Sequence, residues 1–595
     1  MCGLIGLIDK KGNIPKLRSV GERMVKRIVH RGPDKQDSFL DNEEDLYLGH
    51  ARLKIIDLTE NAAQPMNYKN LTLVYNGEIY NYKKVRELLS RLGYDFISNS
   101  DTEVLLKGWY EWGPQVLEKI RGIFAFVIYD QAVRKLFFAR DHLGVKPLYY
   151  VHSKDYLCIA SEAKAFVELP RFSFELSKQH LPEYLAYRFV QPPDTLIKDV
   201  ASLPPASLAI YDIECDTLRI SEYWDIKKDT QFDSFTEDDA IEYFEELFSS
   251  IIEEQLIADV PLGILLSGGI DSSMISLYLS KKFRSKGKDS IAYTVDFEEK
   301  ELSEWPYSKQ IIQKFGLKVN RYHFQDDETE SGLVNANYHL DEPVSQPHTP
   351  YFYLLSEKIK KTLTVVLSGE GADEVFAGYG RYSLFDVNRS DEEVIQFGLN
   401  STRFLNSTIM AELLGLNDDH LDYLATKKRR ACLEKYGNTF DGVSLAQIVD
   451  LKSYLTSLLN RIDKTTMAFG VEARVPFLDY RMVSFGCNLP GNLKVSKLND
   501  QLMTKYFLKR KAAKHLGTSF AYRKKIGFHA PFKKWLLQRP HIKKRLLSNN
   551  DNYLNNKIIK SEYKRLMRGD QDYQCSDVSW IAYNLKEFTK QYEIA

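Results

Sequence analysis

The pattern of apolar residues changes once along this chain, near residue 236, and that change restricts the possible folds more than any other feature. From residue 2 to about 213, short and mostly alternating apolar runs separated by turn residues are typical of antiparallel strands, with few helical stretches between them. From about 236, long helices alternate with short, fully apolar strands, which is typical of a parallel, doubly wound sheet. The sequence therefore predicts an α+β domain followed by an α/β domain.

The chain is 595 residues long, more than a single hydrophobic core supports, so several domains are expected on length alone. A Pro-rich passage and a last hairpin lead into the acidic linker DTQFDSFTEDD. We predict a first domain over 2–213, a hairpin and linker over 214–235, and a second domain over 236–595 that becomes mostly helical after about 380.

Charge and cysteine usage exclude several classes of protein. Lys+Arg and Asp+Glu both count 81, so no net field favours nucleic acid or an anionic membrane. The six cysteines form no CxxC pair, which indicates reduced thiols in a cytosolic compartment. The N-terminus has no signal-peptide pattern, and the longest apolar runs have only the length of strands. A cytoplasmic protein without nucleic-acid or membrane partners is predicted.

Cys2 is the first residue with a candidate chemical role. If Met1 is removed, Cys2 carries a thiol and a free α-amino group, which titrates at about 7.7–8.0 and can act as the base for the thiol. The alternative is a small buried residue at the start of a strand, and the dipeptide alone favours that alternative.

Four polar stretches downstream change this preference: HRGPD (30–34), GHARLKIIDL (49–58), YNGEIYN (75–81) and SDTEVLL (100–106). Asn76 and Gly77 would normally be interpreted as a hairpin turn, but an amide beside a glycine N–H also forms a pair of oxyanion donors. Arg52 suits a carboxylate, whereas Glu78 and Asp101 suit an ammonium group. Together they indicate an α-amino acid pocket. We interpret His30, His50 and RGPD as mainly structural.

Cys2 and these four stretches, in this order, resemble the glutaminase domain of the class II glutamine amidotransferases. The resemblance implies an N-terminal-nucleophile fold, in which two stacked antiparallel sheets lie between helical layers. It also implies that Cys2 attacks the side-chain amide of glutamine and that Asn76 and Gly77 hold the oxyanion. Arg52 would bind the α-carboxylate, and Glu78 and Asp101 would hold the α-amino end.

The stretch LLSGGIDSS (265–273) follows a predicted buried strand and opens a helix. Helix N-termini bind anions through unpaired N–H groups, although a strand–helix turn with a serine cap is the simpler interpretation. The Lys of a Walker A loop is missing, and the stretch resembles instead the pyrophosphate loop of the ATP pyrophosphatases. That resemblance predicts AMP and pyrophosphate as products.

A second acidic segment, VVLSGEGADEVFAGY (365–379), ends the next predicted strand and brings Glu370, Asp373 and Glu374 close together. Carboxylates beside a phosphate loop suit Mg²⁺ binding or a general base. An acidic turn that caps a helix is the weaker alternative. Farther along, RIDKTTMAFGVEARVPFLD (461–479) contains Asp463 and Lys464, which belong either to the phosphate site or to a solvated helix surface.

With SGEGADE, DKTTM…ARVPFLD and RKKIGF (523–528), the whole chain resembles the glutamine-hydrolysing asparagine synthetases. The resemblance implies ATP and Mg²⁺ as cofactors. It assigns Asp271 and Asp373 to Mg²⁺, Glu370 to the deprotonation of ammonia, and Lys464 to the β and γ phosphates. The residues implied in ATP binding are Leu266, Ser267, Gly268, Gly269, Asp271, Ser272, Val295, Ser368, Gly369 and Lys464.

The implied reaction joins the two halves of the chain. A carboxylate attacks the α-phosphate of ATP, and ammonia released at Cys2 crosses between the domains and displaces AMP. Aspartate is the expected acceptor. Asp296 and the segment DEPVSQPHTPYFYLL (341–355) depart from the family pattern, so diaminopimelate and a surface-polysaccharide sugar acid remain alternatives. An inactive regulatory relative is a third hypothesis, and a homodimer is one option for the assembly.

Overall fold

The computed structural model describes residues 2–594 apart from 13, 15, 300, 385–390, 417–419, 441, 499–500, 529, 550–552 and 571. Within these residues, no helix has both the length and the apolar character needed to cross a membrane. All six cysteines lie in the described part of the chain, and all are free thiols.

The first domain contains two six-stranded antiparallel sheets. Its strands are β1 (Gly3–Asp9), β2 (Lys35–Asp41), β3 (Leu46–Arg52), β4 (Met66–Tyr68), β5 (Leu71–Ile79), β6 (Gly122–Asp130), β7 (Lys135–Arg140), β8 (Tyr149–His152), β9 (Tyr156–Ala160), β10 (Ala201–Ser202), β11 (Ser207–Asp212) and β12 (Thr217–Glu222). Its helices are α1 (Leu17–Arg27), α2 (Tyr82–Arg91), α3 (Asp101–Trp112) and α4 (Leu181–Tyr187). The strand orders are β10-β8-β9-β1-β3-β2 and β12-β11-β7-β6-β5-β4.

The two sheets stack face to face because their strands are apolar on the inner side. Leu4 and Leu48 from the first sheet share one core with Val74 and Val127 from the second. Residues of α1 pack on the outer face of the first sheet, and residues of α2 and α3 pack on the outer face of the second. This helix–sheet–sheet–helix arrangement confirms the expected N-terminal-nucleophile fold.

The second domain is built around a five-stranded parallel sheet in the order β15-β14-β13-β16-β17. Its strands are β13 (Leu262–Leu265), β14 (Ile291–Val295), β15 (Lys318–Tyr322), β16 (Val365–Leu367) and β17 (Glu472–Arg474), with the hairpin β18 (Ser496–Leu498) and β19 (Gln501–Met503) beyond it. Its helices are α5 (Glu237–Gln255), α6 (Ile270–Ser285), α7 (Trp305–Phe315), α8 (Asp326–Leu340), α9 (Thr349–Ile359), α10 (Ala372–Val375), α11 (Asp391–Asn400), α12 (Ser407–Leu414), α13 (Leu421–Tyr436), α14 (Gly442–Lys452), α15 (Tyr454–Met467), α16 (Tyr480–Asn488), α17 (Gly491–Lys494), α18 (Tyr506–Leu516), α19 (Thr518–Ala521), α20 (Phe532–Gln538), α21 (Pro540–Leu547), α22 (Asn556–Met567) and α23 (Tyr573–Gln591). The predicted α/β fold with a helical C-terminal part is confirmed.

The boundary region explains where the first domain ends. Strand β12 pairs along its length with β11, so it forms one edge of the second six-stranded sheet. Helix α5 then begins after Thr236, whose hydroxyl accepts a hydrogen bond from Asp239 N while the Asp239 carboxylate accepts one from Thr236 N. This reciprocal cap begins α5 at the position where the apolar pattern changes.

Candidate active sites

The first candidate site is a pocket in the N-terminal domain, lined by residues from both stacked sheets. The sequence had singled out five of its lining residues: Cys2, Arg52, Gly77, Glu78 and Asp101. They come from the start of β1, from β3, from β5 and from the first turn of α3, and the stacking of the two sheets brings them together. The predicted amino-acid pocket is therefore one continuous space.

The main chain of Cys2 is held beside Asn76. Cys2 N donates to Asn76 Oδ1 at 2.9 Å, and burial, its largest influence, raises the pKa of the thiol. Asn76 is completely buried, and no acceptor among the described residues lies in hydrogen-bond range of its Nδ2. A buried, unpaired amide donor beside a nucleophile is the group that an oxyanion needs.

Asn76 and Gly77 do not form the hairpin turn that the NG dipeptide normally predicts. Both lie inside β5, where Asn76 is opposite Ala125 and Gly77 is opposite Phe124 of β6. A Cβ on Gly77 would lie 2.3 Å from the carbonyl oxygen of Ile123, so only glycine fits this close pairing. The strand therefore presents the Asn76 amide at a fixed distance from Cys2.

The remaining charged residues of the pocket are one arginine and two acids. Arg52 donates to the carbonyls of Thr59 and Asp57 at 2.9 and 2.6 Å, which fixes its planar guanidinium. Asp101 accepts hydrogen bonds from Tyr75 Oη at 2.7 Å and Ile79 N at 2.9 Å, while burial raises its pKa. Burial, followed by the charges of neighbouring carboxylates, raises the pKa of Glu78 well above its usual range. A ligand ammonium group would relieve this crowding of acids.

His30 and His50 lie near this pocket but already have structural partners. His50 is fully buried with Nε2 3.1 Å from the carbonyl oxygen of Tyr75, and burial lowers its pKa to about 3. The Nε2 atom of His30 lies 3.0 Å from Glu162 Oε2. These contacts hold both rings against groups other than Cys2.

The second candidate site lies at the carboxyl ends of β13 and β16, which are neighbours in the parallel sheet. The loop after β13 carries Leu266, Ser267, Gly268 and Gly269 and leads into α6, which contains Asp271 and Ser272. Gly268 has a φ of +77°, and a Cβ there would lie 2.8 Å from Ser308 Oγ, so the loop requires glycine. Its backbone therefore comes close to any group bound at the N-terminus of α6.

The loop after β16 lies directly beside it. Ser368 N donates to the carbonyl of Arg474 at 2.8 Å, and a Cβ on Gly369 would lie 3.0 Å from Asp271 Cβ. Val295 ends β14, the neighbour of β13 on the other side. The predicted ATP-binding residues of these three strand ends thus meet at one edge of the sheet, as expected for a ligand site in a doubly wound fold.

Two lysines far away in sequence hold the acidic residues of this edge. Lys505 Nζ lies 2.7 Å from Asp271 Oδ1 and 2.9 Å from Asp373 Oδ1, and Lys525 Nζ lies 2.8 Å from Asp373 Oδ2. Burial raises the pKa of Asp373, but Lys505 and Lys525 outweigh it and lower the pKa well below its usual range. Arg523 donates to the carbonyl of Gly268 at 2.9 Å. These three cations contact the loop after β13, Asp271 or Asp373, and sequence reasoning assigned none of them.

Glu370, in the loop after β16, and Glu374, in the short helix α10, have different surroundings. The Glu370 carboxylate is paired with Arg461 of α15, which also contacts the ring of His348. Burial, together with the charges of Asp373 and Glu370, raises the pKa of Glu374 to about 8, and Tyr379 Oη donates to its Oε1 at 2.6 Å.

Lys464 is the predicted phosphate ligand that the structure does not bring to this loop. Its ammonium is fully buried between the domains, 2.7 Å from Asp341 Oδ2, and it also donates to Leu340 O and Tyr149 Oη. Its position does not agree with the expected contact with the β and γ phosphates, because these three acceptors take up its donors. It is not on a solvated surface either.

The residues that sequence reasoning missed share one property: their partners are distant in sequence. Lys525 lies in RKKIGF, a stretch used for the resemblance without a role, whereas Lys505 carried no local signal. Asp463 was noted, but its ion pair with Arg31 of the first domain, 2.8 Å long, spans 432 positions. No pattern within a short window predicts such contacts.

Comparisons with known proteins match the two parts of the chain to two domain families. A glutamine amidotransferase domain family model matches residues 1–224, and an asparagine synthase family model matches residues 243–588. Glutamine-hydrolysing asparagine synthetases 1 and 3 of Bacillus subtilis are each 31% identical to this chain, over 573 and 554 residues, covering 90% and 89% of it and 88% and 87% of their own lengths. A putative asparagine synthetase of Mycobacterium tuberculosis is 30% identical over 595 residues, covering 90% of this chain and 88% of its own length. The chain belongs to the glutamine-hydrolysing asparagine synthetase family.

Proposed function

We propose that this protein is an ATP-dependent, glutamine-hydrolysing ligase that converts aspartate to asparagine. The observation that carries the proposal is the presence of two separate groups of polar side chains in one chain, one lining the N-terminal pocket and one at the sheet edge of the second domain, whose chemistry suits the two half-reactions. Relatives named as asparagine synthetases, which align with about nine-tenths of the chain, support aspartate as the acceptor.

The glutaminase half-reaction is proposed for the N-terminal pocket. Arg52 binds the α-carboxylate of glutamine, and Glu78 and Asp101 receive its α-ammonium group. Removal of Met1 would turn the nitrogen of Cys2, which contacts Asn76 Oδ1 at 2.9 Å, into a free α-amino group. Cys2 Sγ attacks the side-chain carbonyl carbon, and its proton passes to this amine. Asn76 Nδ2 and Gly77 stabilise the oxyanion. Ammonia then leaves, and water hydrolyses the glutamyl thioester.

The synthetase half-reaction is proposed for the sheet edge of the second domain. The loop from Leu266 to Ser272, with Ser368 and Gly369, surrounds the phosphates, and Val295 lies beside the adenine. The acceptor carboxylate attacks the α-phosphate to give an acyl-adenylate and pyrophosphate. Lys505, Lys525 and Arg523 neutralise the negative charge that builds up on the departing pyrophosphate.

Asp271 and Asp373 fit a Mg²⁺ site. Both carboxylates lie within 3 Å of the same ammonium, Lys505 Nζ, so they converge on one position that a cation can occupy. Among the described residues, no group of three or more Asp, Glu, His or Cys side chains comes together to hold a metal, and Mg²⁺ commonly takes one or two carboxylates plus phosphate oxygens and water. The ion would supply positive charge to the phosphates of ATP.

Glu370 is proposed as the base for the last step. Its pairing with Arg461 fixes the carboxylate at the mouth of the phosphate loop. Ammonia attacks the carbonyl carbon of the acyl-adenylate, Glu370 accepts a proton from the attacking nitrogen, and AMP departs. The neutral form of ammonia is needed, so a passage closed to bulk water between the two sites favours the transfer.

An acceptor screen tests the proposal. The protein is incubated with ATP, Mg²⁺, glutamine and single carboxylates (aspartate, diaminopimelate and uronic acids), and pyrophosphate, AMP and glutamate are measured. We expect aspartate to give pyrophosphate, AMP and asparagine in equal amounts. Pyrophosphate release only with another carboxylate would replace aspartate but keep the mechanism. Formation of ADP and phosphate would contradict the assignment of the loop.

A further inference from the structure

The two candidate sites are joined by a buried ionic contact between the domains. Arg31, fully buried, donates from Nε to the carbonyl of Cys2 at 3.2 Å and from Nη1 to Glu162 Oε1 at 2.9 Å. Its remaining nitrogen, Nη2, donates to Asp463 Oδ2 of the second domain at 2.8 Å. One guanidinium therefore holds the main chain of the nucleophile and a carboxylate of the other domain at the same time.

The ion pairs of the Asp463 side chain are made with the first domain, not with its own. Asp463 is 1% exposed, and the two cations it contacts, Arg31 and Lys146, both belong to the first domain. Burial raises the pKa of Asp463, but Arg31 and Lys146 lower it below its usual range, so the group is an anion at neutral pH. Removing that charge would take an ion-pair partner from the buried Lys146 and one of the two carboxylates that Arg31 contacts.

Helix α15 carries this contact to the second site. Arg461, two residues before Asp463, pairs with Glu370, the residue proposed as the base for ammonia. The α15 segment is a regular helix of 14 residues, and Leu455, Leu458 and Leu459 pack it into the core, so Asp463 and Arg461 keep a fixed separation. A continuous line of contacts thus runs from Glu370 through Arg461, α15, Asp463 and Arg31 to Cys2.

We propose that Asp463 is a positioning residue of the glutaminase that the synthetase domain supplies: through Arg31 it fixes the main chain of Cys2, and through α15 it links Cys2 to Glu370. The inference rests on the proposed function, because it assigns a role in glutamine hydrolysis to a residue outside the glutaminase domain. Cys2 is held at both ends of its main chain, with Asn76 at its nitrogen and Arg31 at its carbonyl. Loss of one of these two contacts allows the thiol to move relative to the oxyanion donors.

The test compares Asp463→Asn with Asp341→Asn in the full chain. Both replace a buried carboxylate of the second domain that pairs with two cations, since Asp341 contacts Lys164 and Lys464, but only Asp463 reaches Arg31. Glutamate release from glutamine and ammonia-dependent pyrophosphate release are measured in the same preparations. Their ratio is independent of how much of each preparation is correctly folded.

For Asp463→Asn we expect kcat for glutamine to fall about tenfold to a hundredfold, because displacement of a reacting group by about 1 Å has costs of that size. KM for glutamine should change less than about twofold, since Arg52 and Asp101 are untouched, and ammonia-dependent activity should change less than about threefold. In the parent, ATP with acceptor should stimulate glutamine hydrolysis, and Asp463→Asn should lose that stimulation. For Asp341→Asn we expect both activities to fall together or not at all.

An equal drop in the glutamine-to-ammonia ratio in both variants would overturn the proposal, and so would an unchanged ratio in Asp463→Asn. If Asp463→Asn loses the ammonia-dependent reaction too, the Arg31→Lys variant is the deciding test. A lysine at position 31 keeps the buried charge but cannot reach both Cys2 and Asp463. An unchanged kcat for glutamine in Arg31→Lys would then refute the role. A parent enzyme that releases neither glutamate nor pyrophosphate would instead contradict the proposed function.

Discussion

The two candidate sites are built in opposite ways. The N-terminal pocket is formed within one domain by strands of two stacked sheets and the first turn of α3, and backbone groups hold its polar side chains, as the hydrogen bonds of Arg52 and Asp101 show. The phosphate site is formed by the ends of parallel strands, and its carboxylates Asp271 and Asp373 are held by lysines that follow them by more than 100 residues. The first site is preorganised by hydrogen bonds, whereas the second is a balance of opposite charges that a ligand must rearrange.

The largest expected effect tests whether the two sites work separately. Cys2→Ala should abolish glutamine-dependent synthesis, by at least about 10³-fold, because the nucleophile is lost, while ammonia-dependent synthesis persists. Pyrophosphate release is measured with glutamine and with ammonium chloride as nitrogen donors. Cys215→Ala, which changes an exposed cysteine of the same domain, is the control and should retain both activities. Loss of both activities in Cys2→Ala would show that the two sites do not work separately.

The next effect tests the charge balance in the second site. Lys525→Ala should lower ammonia-dependent pyrophosphate release about 10²–10³-fold, because a cation at the developing charge is lost, and glutamine hydrolysis without ATP should remain. Lys524→Ala, its exposed neighbour, is the matched control. If the two variants behave alike in a pyrophosphate assay, the phosphates do not contact Lys525.

A smaller effect tests whether Lys464 stabilises the contact between the domains or binds the phosphates. Lys464→Met breaks the buried pair with Asp341, which retains Lys164, so we expect a loss of about 3 kcal/mol in stability. KM for ATP in the ammonia-dependent reaction should change less than about threefold. Thermal unfolding and ATP titration check both parts. A large rise in KM for ATP with normal stability would contradict this prediction and support a contact between Lys464 and the phosphates.

The smallest effect concerns crowding of the acids around Glu374. Its pKa of about 8 in the folded protein lies above its ordinary 4.5, so the folded state holds a proton that the unfolded state has lost. The contribution is fully present below about pH 4.5 and is lost as pH rises through about 8, at up to about 1.4 kcal/mol per pH unit. Glu374→Gln should remove this slope, so its stability relative to the parent should rise from pH 5.5 to pH 7.5 in urea unfolding. Parallel pH profiles of the parent and the variant would contradict the assignment.

Much of the fold could be predicted because its signals are local. GIFAFVIYD (122–130) coincides with β6, and the helical pattern from Ala240 coincides with most of α5. Strand β17 was missed because two of its three residues, Glu472 and Arg474, are charged. They pair with each other, and Arg474 also contacts Glu78 and the carbonyls of Gln255 and Ile257. An apolar pattern cannot indicate a strand whose burial depends on partners elsewhere in the chain.

The same distinction between local signals and distant partners applies to the residues of the candidate sites. Cys2, Arg52, Gly77 and Asp101 could be assigned together because each belongs to a short motif whose residue types suit one ligand. Lys505 and Lys525 could not, because their relation to Asp373 exists only after α18 and the 523–528 segment have packed. The contacts of Lys464 with Tyr149 and Asp341 could not be predicted, since the sequence does not state which side of α15 meets the other domain.

The contact between Arg31 and Asp463 also sets an order of events during protein synthesis. The two residues are 432 positions apart, so at about 5–20 residues per second a ribosome needs roughly 20–90 s to add the second after the first. Over that interval the guanidinium, completely enclosed in the finished protein, has no carboxylate at 463 to pair with. A glutaminase whose nucleophile is steadied by the last-made domain would thus mature only when a consumer of its ammonia exists on the same chain.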